Sequence, residues 1–265
     1  MGTLREDTLE QIKEMKDRSF KDKFEYFWEY YKFLALGAIV GIVIVVAVLR
    51  AVFSYREYAI SVIIVNPDTS VSDEIVPDWE SDLTSLLQIN EKKETIYIDT
   101  SIQVGNGTQQ TIEYTAMQKL VAYFTARNVD VFISNTPLFE EYSQNGYLSD
   151  LRKIYTEEEL EAMSDIIYYT DGATFSDYQD VSNLNVKEDQ EKYVVDHRDP
   201  DSMEDPIPTG FYITDSSRLG EAGIYNYLSR FDQYQGHDQE GVIGVPVVVN
   251  DAEKAKLTIE YFLSK

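Results

Sequence analysis

Five carboxylates crowd into ten residues, Asp196-His197-Arg198-Asp199-Pro200-Asp201-Ser202-Met203-Glu204-Asp205. Carboxylate oxygens suit a hard cation, and Ca²⁺ takes about six to eight oxygen ligands. Asp196, Asp199, Asp201, Glu204 and Asp205 are therefore the candidate metal ligands, with calcium the cation they suit. The spacing departs from the EF-hand loop, which needs a glycine at its sixth position. A solvated acidic loop accounts for the same residues, because runs of like charge usually face water. The two histidines, His197 and His237, stand in polar, acidic sequence with no second ligand at zinc spacing, so both are expected at the surface.

Catalytic chemistry has little to work with. The chain has no cysteine, which removes disulfides, Cys-ligated zinc and a thiol nucleophile together. There is no G-x-S-x-G elbow and no Walker loop, and Gly105-Asn106-Gly107 lacks the third glycine of a dinucleotide fingerprint. The expectation is a protein that is not an enzyme and carries no cofactor. Binding is better represented. Tyr168, Tyr169, Phe175 and Tyr178 lie close together in a chain with 20 tyrosines. Packing at a sheet edge is the plain use of such rings. Asn135 and Thr136 follow a strand-like run, Val129 to Ser134, and open parallel sheets bind ligands at the carboxyl ends of their strands. Thr136, directly before Pro137, also fits a helix N-cap.

The elements that must carry these residues read as follows. Tyr58 to Val65 is a buried-strand run ended by Asn66-Pro67-Asp68. Asp73 caps an expected helix over Glu74 to Leu87, with Pro77 in its first turn. Glu94 to Thr100 is a second strand, Thr111 to Asn128 an amphipathic helix, and Val129 to Ser134 a third strand. Leu138 to Gln144 is helical and is stopped by Asn145-Gly146. Thr156 and Glu159 form a capping box for a helix expected to run to Tyr169. Gly210 to Thr214 is a short strand that rejoins the sheet, and Gly223 to Phe231 a short helix. Alternation of short apolar strands and amphipathic helices predicts an α/β domain over 57–265, with a mostly parallel sheet covered by helices on both faces. An acidic insertion is expected at about 155–206.

Two pieces of the chain resemble the extracellular solute-binding proteins of ABC transporters, which have the type 2 periplasmic-binding fold. The first is a strand opening Asp130-Val131, then a helix, then Gly146-Tyr147-Leu148 and Asp150-Leu151. The second is Gly241 to Lys265, a strand with Gly244-Val245-Pro246 followed by a helix. The resemblance implies a ligand at the strand ends. In that family such aromatics stack on sugars, so Asn135, Thr136, Tyr168, Tyr169 and Tyr178 become the expected ligand-binding set. The sequence departs in length, because the outer part is too short for two covered lobes. One lobe alone cannot close on a solute by a hinge.

Phe33 to Leu49 holds no charged or strongly polar side chain, and with Arg50 snorkelling it reaches the length of a bilayer core. Residues 33–53 are thus an expected transmembrane helix, anchoring the chain in the lipid bilayer. Trp28, Tyr30 and Tyr31 flank it on one side and Phe53, Tyr55 and Tyr58 on the other, as aromatic belts do. Lys16, Arg18, Lys21, Lys23 and Lys32 precede it, whereas only Arg50 and Arg56 follow closely, which places the N-terminus inside. An uncleaved signal anchor fits better than a cleaved signal peptide, given 32 residues ahead of the apolar run. Gly37 and Gly41 form a small-xxx-small pair, a candidate helix-dimer face that equally fits ordinary membrane glycines. Residues 1–32 read as an amphipathic cytoplasmic helix.

From residue 57 onward, 14 Lys/Arg face 39 Asp/Glu, a field that excludes nucleic acid as a partner. The expected localisation is the plasma membrane of a bacterium, single-pass, with the α/β domain outside. Two functions stay open. One is a tethered lobe that binds a small ligand (a sugar, peptide or cation) near a transporter. The other is an interaction or scaffold domain of an envelope complex with a membrane-protein partner.

Overall fold

A helix that is hydrophobic on every side must be buried in protein or in lipid to avoid water. The computed structural model describes residues 19–53, 56–104, 110–174, 195–225 and 240–265. The chain divides into two compact units, Met1–Tyr55 and Arg56–Lys265. In the first, α1 (Phe20–Phe53) is continuous over 34 residues. Within it Tyr31–Arg50 has a mean hydropathy of 2.7, with no part buried in the protein, and is long and apolar enough to cross a membrane. Gly37 and Gly41 face open space. Residues 1–18 lie outside the described set.

The second unit is built on β1 (Glu57–Val65), α2 (Thr69–Leu86), β2 (Glu94–Ile102), α3 (Gln110–Thr125), β3 (Val131–Asn135) and α4 (Thr136–Gln144). It continues with α5 (Glu157–Ala162), β4 (Ile167–Asp171), β5 (Pro206–Tyr212), α6 (Arg218–Ala222), β6 (Gly241–Gly244) and α7 (Ala252–Leu263). The six strands form one sheet in the order β2-β1-β3-β6-β5-β4. Strand β1 is buried from Ala59 to Val65. Its alternate residues feed two cores, as the period-2 geometry of a strand requires. Ile60, Val62 and Ile64 pack with Trp79 and Leu83 of α2 and with Ile259 and Phe262 of α7. Ile63 and Val65 pack with Leu120 of α3 and with Leu138, Phe139 and Tyr142 of α4. Both faces are therefore covered by helices.

The sheet is mixed rather than mostly parallel, which corrects the sequence expectation. β1 pairs parallel with β2 and β3. The β3–β6, β5–β6 and β4–β5 pairs are antiparallel. The first three strands are joined by helical crossovers, which force parallel pairing. A four-residue apolar run such as Gly241–Gly244 carries no sign of its own direction.

Three element boundaries also move. α2 starts five residues earlier than expected, because Asp68 rather than Asp73 is the cap, its side chain accepting from Ser70 N at 3.0 Å. Pro77 then sits inside the helix instead of in its first turn. The helix after Thr156 ends at Ala162, and Ile167–Asp171, with Tyr168 and Tyr169, is strand β4. The capping box is present as read, yet the Ile-Ile-Tyr-Tyr-Thr run has the residue types of a strand. So the first part of the expected insertion belongs to the sheet. β5 begins at Pro206 rather than Gly210, and the bulge between Tyr168 and Tyr169 falls opposite Pro208, which has no N–H to donate. The Tyr169 carbonyl meets His197 Nδ1 at 2.7 Å instead, and the Tyr169 N–H donates to the His197 carbonyl at 2.9 Å. Most of the helix expected at Gly223 to Phe231 lies outside the described residues.

Candidate functional site

Strands β1 and β3 are neighbours whose following helices, α2 and α4, pack on opposite faces of the sheet. That arrangement opens a crevice at the carboxyl ends of β1 and β3, the general ligand position of open α/β sheets. Here the protein fills it. Asn66, at a left-handed φ of 56°, donates from Nδ2 to Asn135 Oδ1 at 3.1 Å. Its Oδ1 accepts from the Val104 N–H at 2.6 Å. Thr136 Oγ1 donates to the Glu240 carbonyl at 2.7 Å. The Tyr225 hydroxyl donates to the Val65 carbonyl at 2.8 Å. Asn135 and Thr136 are both buried, and their side chains bond to protein groups. Thr136 opens α4 as its first residue, and Asn135 occupies the cap position without a side-chain cap bond.

The open cleft lies one step along the same edge, over β5 and β6. It measures about 580 Å³ and is lined by Asp165, Arg198, Tyr212, Thr214, Asp215, Tyr225 and Glu240, with Leu219 and Gly220 of α6. Its chemistry is polar at the mouth and aromatic at the wall. The Arg198 guanidinium stacks 3.6 Å above the Tyr212 ring and forms an ion pair with Glu240. Arg198 and His197 are held from below. The His197 ring stacks on Tyr168 at 4.5 Å and 11°. His197 Nε2 lies 3.5 Å from Glu140 Oε1, and Nδ1 lies 2.7 Å from the Tyr169 carbonyl. Burial alone would push this imidazole down, but the Glu140 carboxylate and the Tyr169 carbonyl outweigh it and raise its pKa above the ordinary histidine value. Glu140 is held below its ordinary value, first by the His197 hydrogen bond. His197 was expected at the surface, and its side chain is 13% exposed.

The other expected site residues separate. Tyr168 is fully buried among Phe139, Tyr212 and His197, so it is a core ring. Tyr169 is partly buried on the other face of β4. Tyr178, Phe175 and His237 lie outside the described residues. Asp196, Asp199, Asp201, Glu204 and Asp205 do not converge. Among the described residues no three His, Cys, Asp or Glu side chains are grouped to hold a metal ion, which corrects the calcium expectation. Asp196 and Asp199 accept backbone N–H groups of their own turns, from Arg198 and Asp201. Glu204 and Asp205 donate backbone N–H groups to Asp171. Local turn bonding orders the loop without a cation.

Two buried acids that sequence reasoning passed over do structural work. Asp99 sits 2.7 Å from Lys119 Nζ, and Tyr123 donates to it at 2.7 Å. Burial raises its carboxyl, but Lys119, Ser101 and Tyr123 outweigh that and hold it at about 2. The spacing of Lys119 and Tyr123, one helical turn apart, was the available signal. Asp130 accepts from the Ser61 N–H at 2.9 Å and the Asn250 N–H at 3.0 Å, and burial raises its pKa. It ties β1 to the approach of α7.

No family model matches the chain, and no curated protein or solved structure gives a significant match.

Proposed function

We propose that the protein is a single-pass membrane-anchored binding module whose outer α/β domain takes a small cationic or zwitterionic solute. The observation that carries this reading is the 580 Å³ cleft, whose lining among the described residues includes the carboxylates Asp165, Asp215 and Glu240 and the guanidinium of Arg198. Arg198 and Glu240 pair with each other, so Asp165 and Asp215 leave the described lining net negative and attract a solute's amine, while Tyr225 supplies apolar contact. The anchor is Tyr31–Arg50, and the excess of Lys and Arg before it favours the N-terminus in the cytoplasm of a bacterial cell with the domain outside. The likeness of the Asp130-Val131 and Gly241–Lys265 stretches to solute-binding proteins supports the same reading.

The test is thermal unfolding of the full chain in lipid nanodiscs against amino acids, peptides, polyamines and sugars. A solute at 100 times its dissociation constant adds about 2.7 kcal/mol, a shift of several degrees in the α/β transition. Stabilisation by amines or amino acids supports the proposal. Stabilisation by sugars alone, or by nothing in the panel, counts against it. A second reading, a scaffold domain without a ligand, is favoured by the crevice closed by Asn66, Asn135 and Tyr225. Unresponsive curves from a folded sample would select it.

A further inference from the structure

The amino edge of the sheet, opposite the cleft, carries a group of exposed apolar side chains that lie side by side. Tyr147 is 44% exposed, Val247 52% and Val248 44%. The Val247 N–H donates to the Tyr147 carbonyl at 2.9 Å, so the three form one ridge. A shallow groove of about 270 Å³ runs beside it, lined by Phe124, Val129 and Pro246. Tyr58, 54% exposed and stacked on Tyr97 at 4.6 Å, stands at the start of β1 on the same edge. A soluble domain gains nothing by holding such a ridge in water.

Charge on this edge differs from the rest of the domain. Arg56, Lys92, Lys93 and Arg127 are all exposed around it, against the carboxylates Glu57, Glu91 and Glu94. The edge is therefore close to neutral, whereas residues 57–265 as a whole hold 14 Lys/Arg against 39 Asp/Glu. The chain itself limits where this edge can go. Four peptide steps join Phe53, the last residue of α1, to Glu57, the first of β1, and no conformation of that many residues spans more than about 14 Å.

We infer that the amino edge of the sheet is a lipid-interface surface, with Tyr147, Val247 and Val248 seated among the headgroups and acyl ends. Tyrosine is suited to this depth because its ring is apolar and its hydroxyl wet, and basic residues at the rim meet phosphate. The inference rests on Tyr31–Arg50 being a membrane span.

The chain has no cysteine, so single labels are clean. Full-length Val248→Cys, Tyr147→Cys and Thr214→Cys, the last at the cleft, would carry an environment-sensitive fluorophore in phosphatidylcholine vesicles. The expected result is a blue-shifted emission at 248 and 147, quenched by nitroxide-bearing lipids, with the 214 label as in water. Water-like emission at 248 and 147 in vesicle-bound protein overturns the inference and leaves the anchor standing. A blue shift that lipid nitroxides do not quench, and that fades on dilution, overturns it in favour of contact between two copies. Recovery of the unlabelled chain in the vesicle-free fraction overturns the anchor and the inference with it.

Discussion

His197 shows most clearly how one side chain can decide a local structure. Its ring lies against Tyr168 and faces Glu140 from α4, with Tyr169 and Asp196 as the other polar neighbours. Because its folded pKa is raised, protonated His197 contributes stability that is fully present below the unfolded value, about 6.5. That contribution is lost as pH rises through the folded pKa. Glu140, whose pKa is lowered, contributes in the opposite sense, with stability present above about 4.3 and lost as pH falls. The pair is thus strongest between the two limits. Unfolding free energy measured against pH should fall above pH about 6.5 in the wild type, and His197→Phe should remove that slope. A mutant curve parallel to the wild type would contradict the assignment. Asp99 behaves as a second case. With its carboxyl held at about 2, its stabilisation is present above about 3.9 and lost only as pH approaches 2, so Asp99→Asn should raise the acid-unfolding midpoint.

At the scale of elements, the caps and the close-packed glycines are the sharpest tests. Asp68 caps α2, so Asp68→Ala should cost about 1 kcal/mol, while Asp73→Ala, on an exposed helical position, should stay within about 0.5 kcal/mol. Chemical denaturation of the two variants separates them, and equal losses would return the cap to Asp73. Gly244 in β6 has no room for a side chain, since a Cβ would stand 2.7 Å from the Thr209 carbonyl oxygen and 2.8 Å from Phe139 Cζ. Gly244→Ala should destabilise by about 1–3 kcal/mol, and a denaturation midpoint unchanged from wild type would contradict that packing.

The sequence made β1, β2 and β3 legible because their apolar runs are long, rich in Ile and Val, and bounded by turn residues. It hid β4, because Ile167–Asp171 follows directly on a well-formed capping box and reads as more helix. Strand direction was not legible for β4, β5 and β6, because short apolar runs such as Gly241–Gly244 carry no sign of their own direction.

For the whole molecule, the long apolar helix was the most legible feature and the cleft the least. A 20-residue apolar helix announces itself by composition. The cleft gathers Asp165, Arg198, Tyr212, Asp215, Tyr225 and Glu240 from four separated stretches, and none of them carries a motif. The switch-point residues Asn135 and Thr136 were found by rule, yet the fold spends them on Asn66 and Glu240. If α1 is the anchor, the full chain should stay with membranes through an alkaline wash, and a chain starting at Arg56 should be released. Release of both would contradict a spanning helix.

The central claim is that the cleft binds a small solute through its positively charged amine. Asp215 is exposed at its mouth, so Asp215→Lys changes the charge of the cleft without disturbing the core. The measurement is a calorimetric titration of the full chain in nanodiscs with small amines and amino acids, wild type beside Asp215→Lys. The expected result is saturable binding to the wild type that weakens at least about tenfold, or about 1.4 kcal/mol, in the variant, with the ligand-free unfolding midpoint unchanged. Equal binding by both proteins, or none by a folded wild type, would contradict the claim.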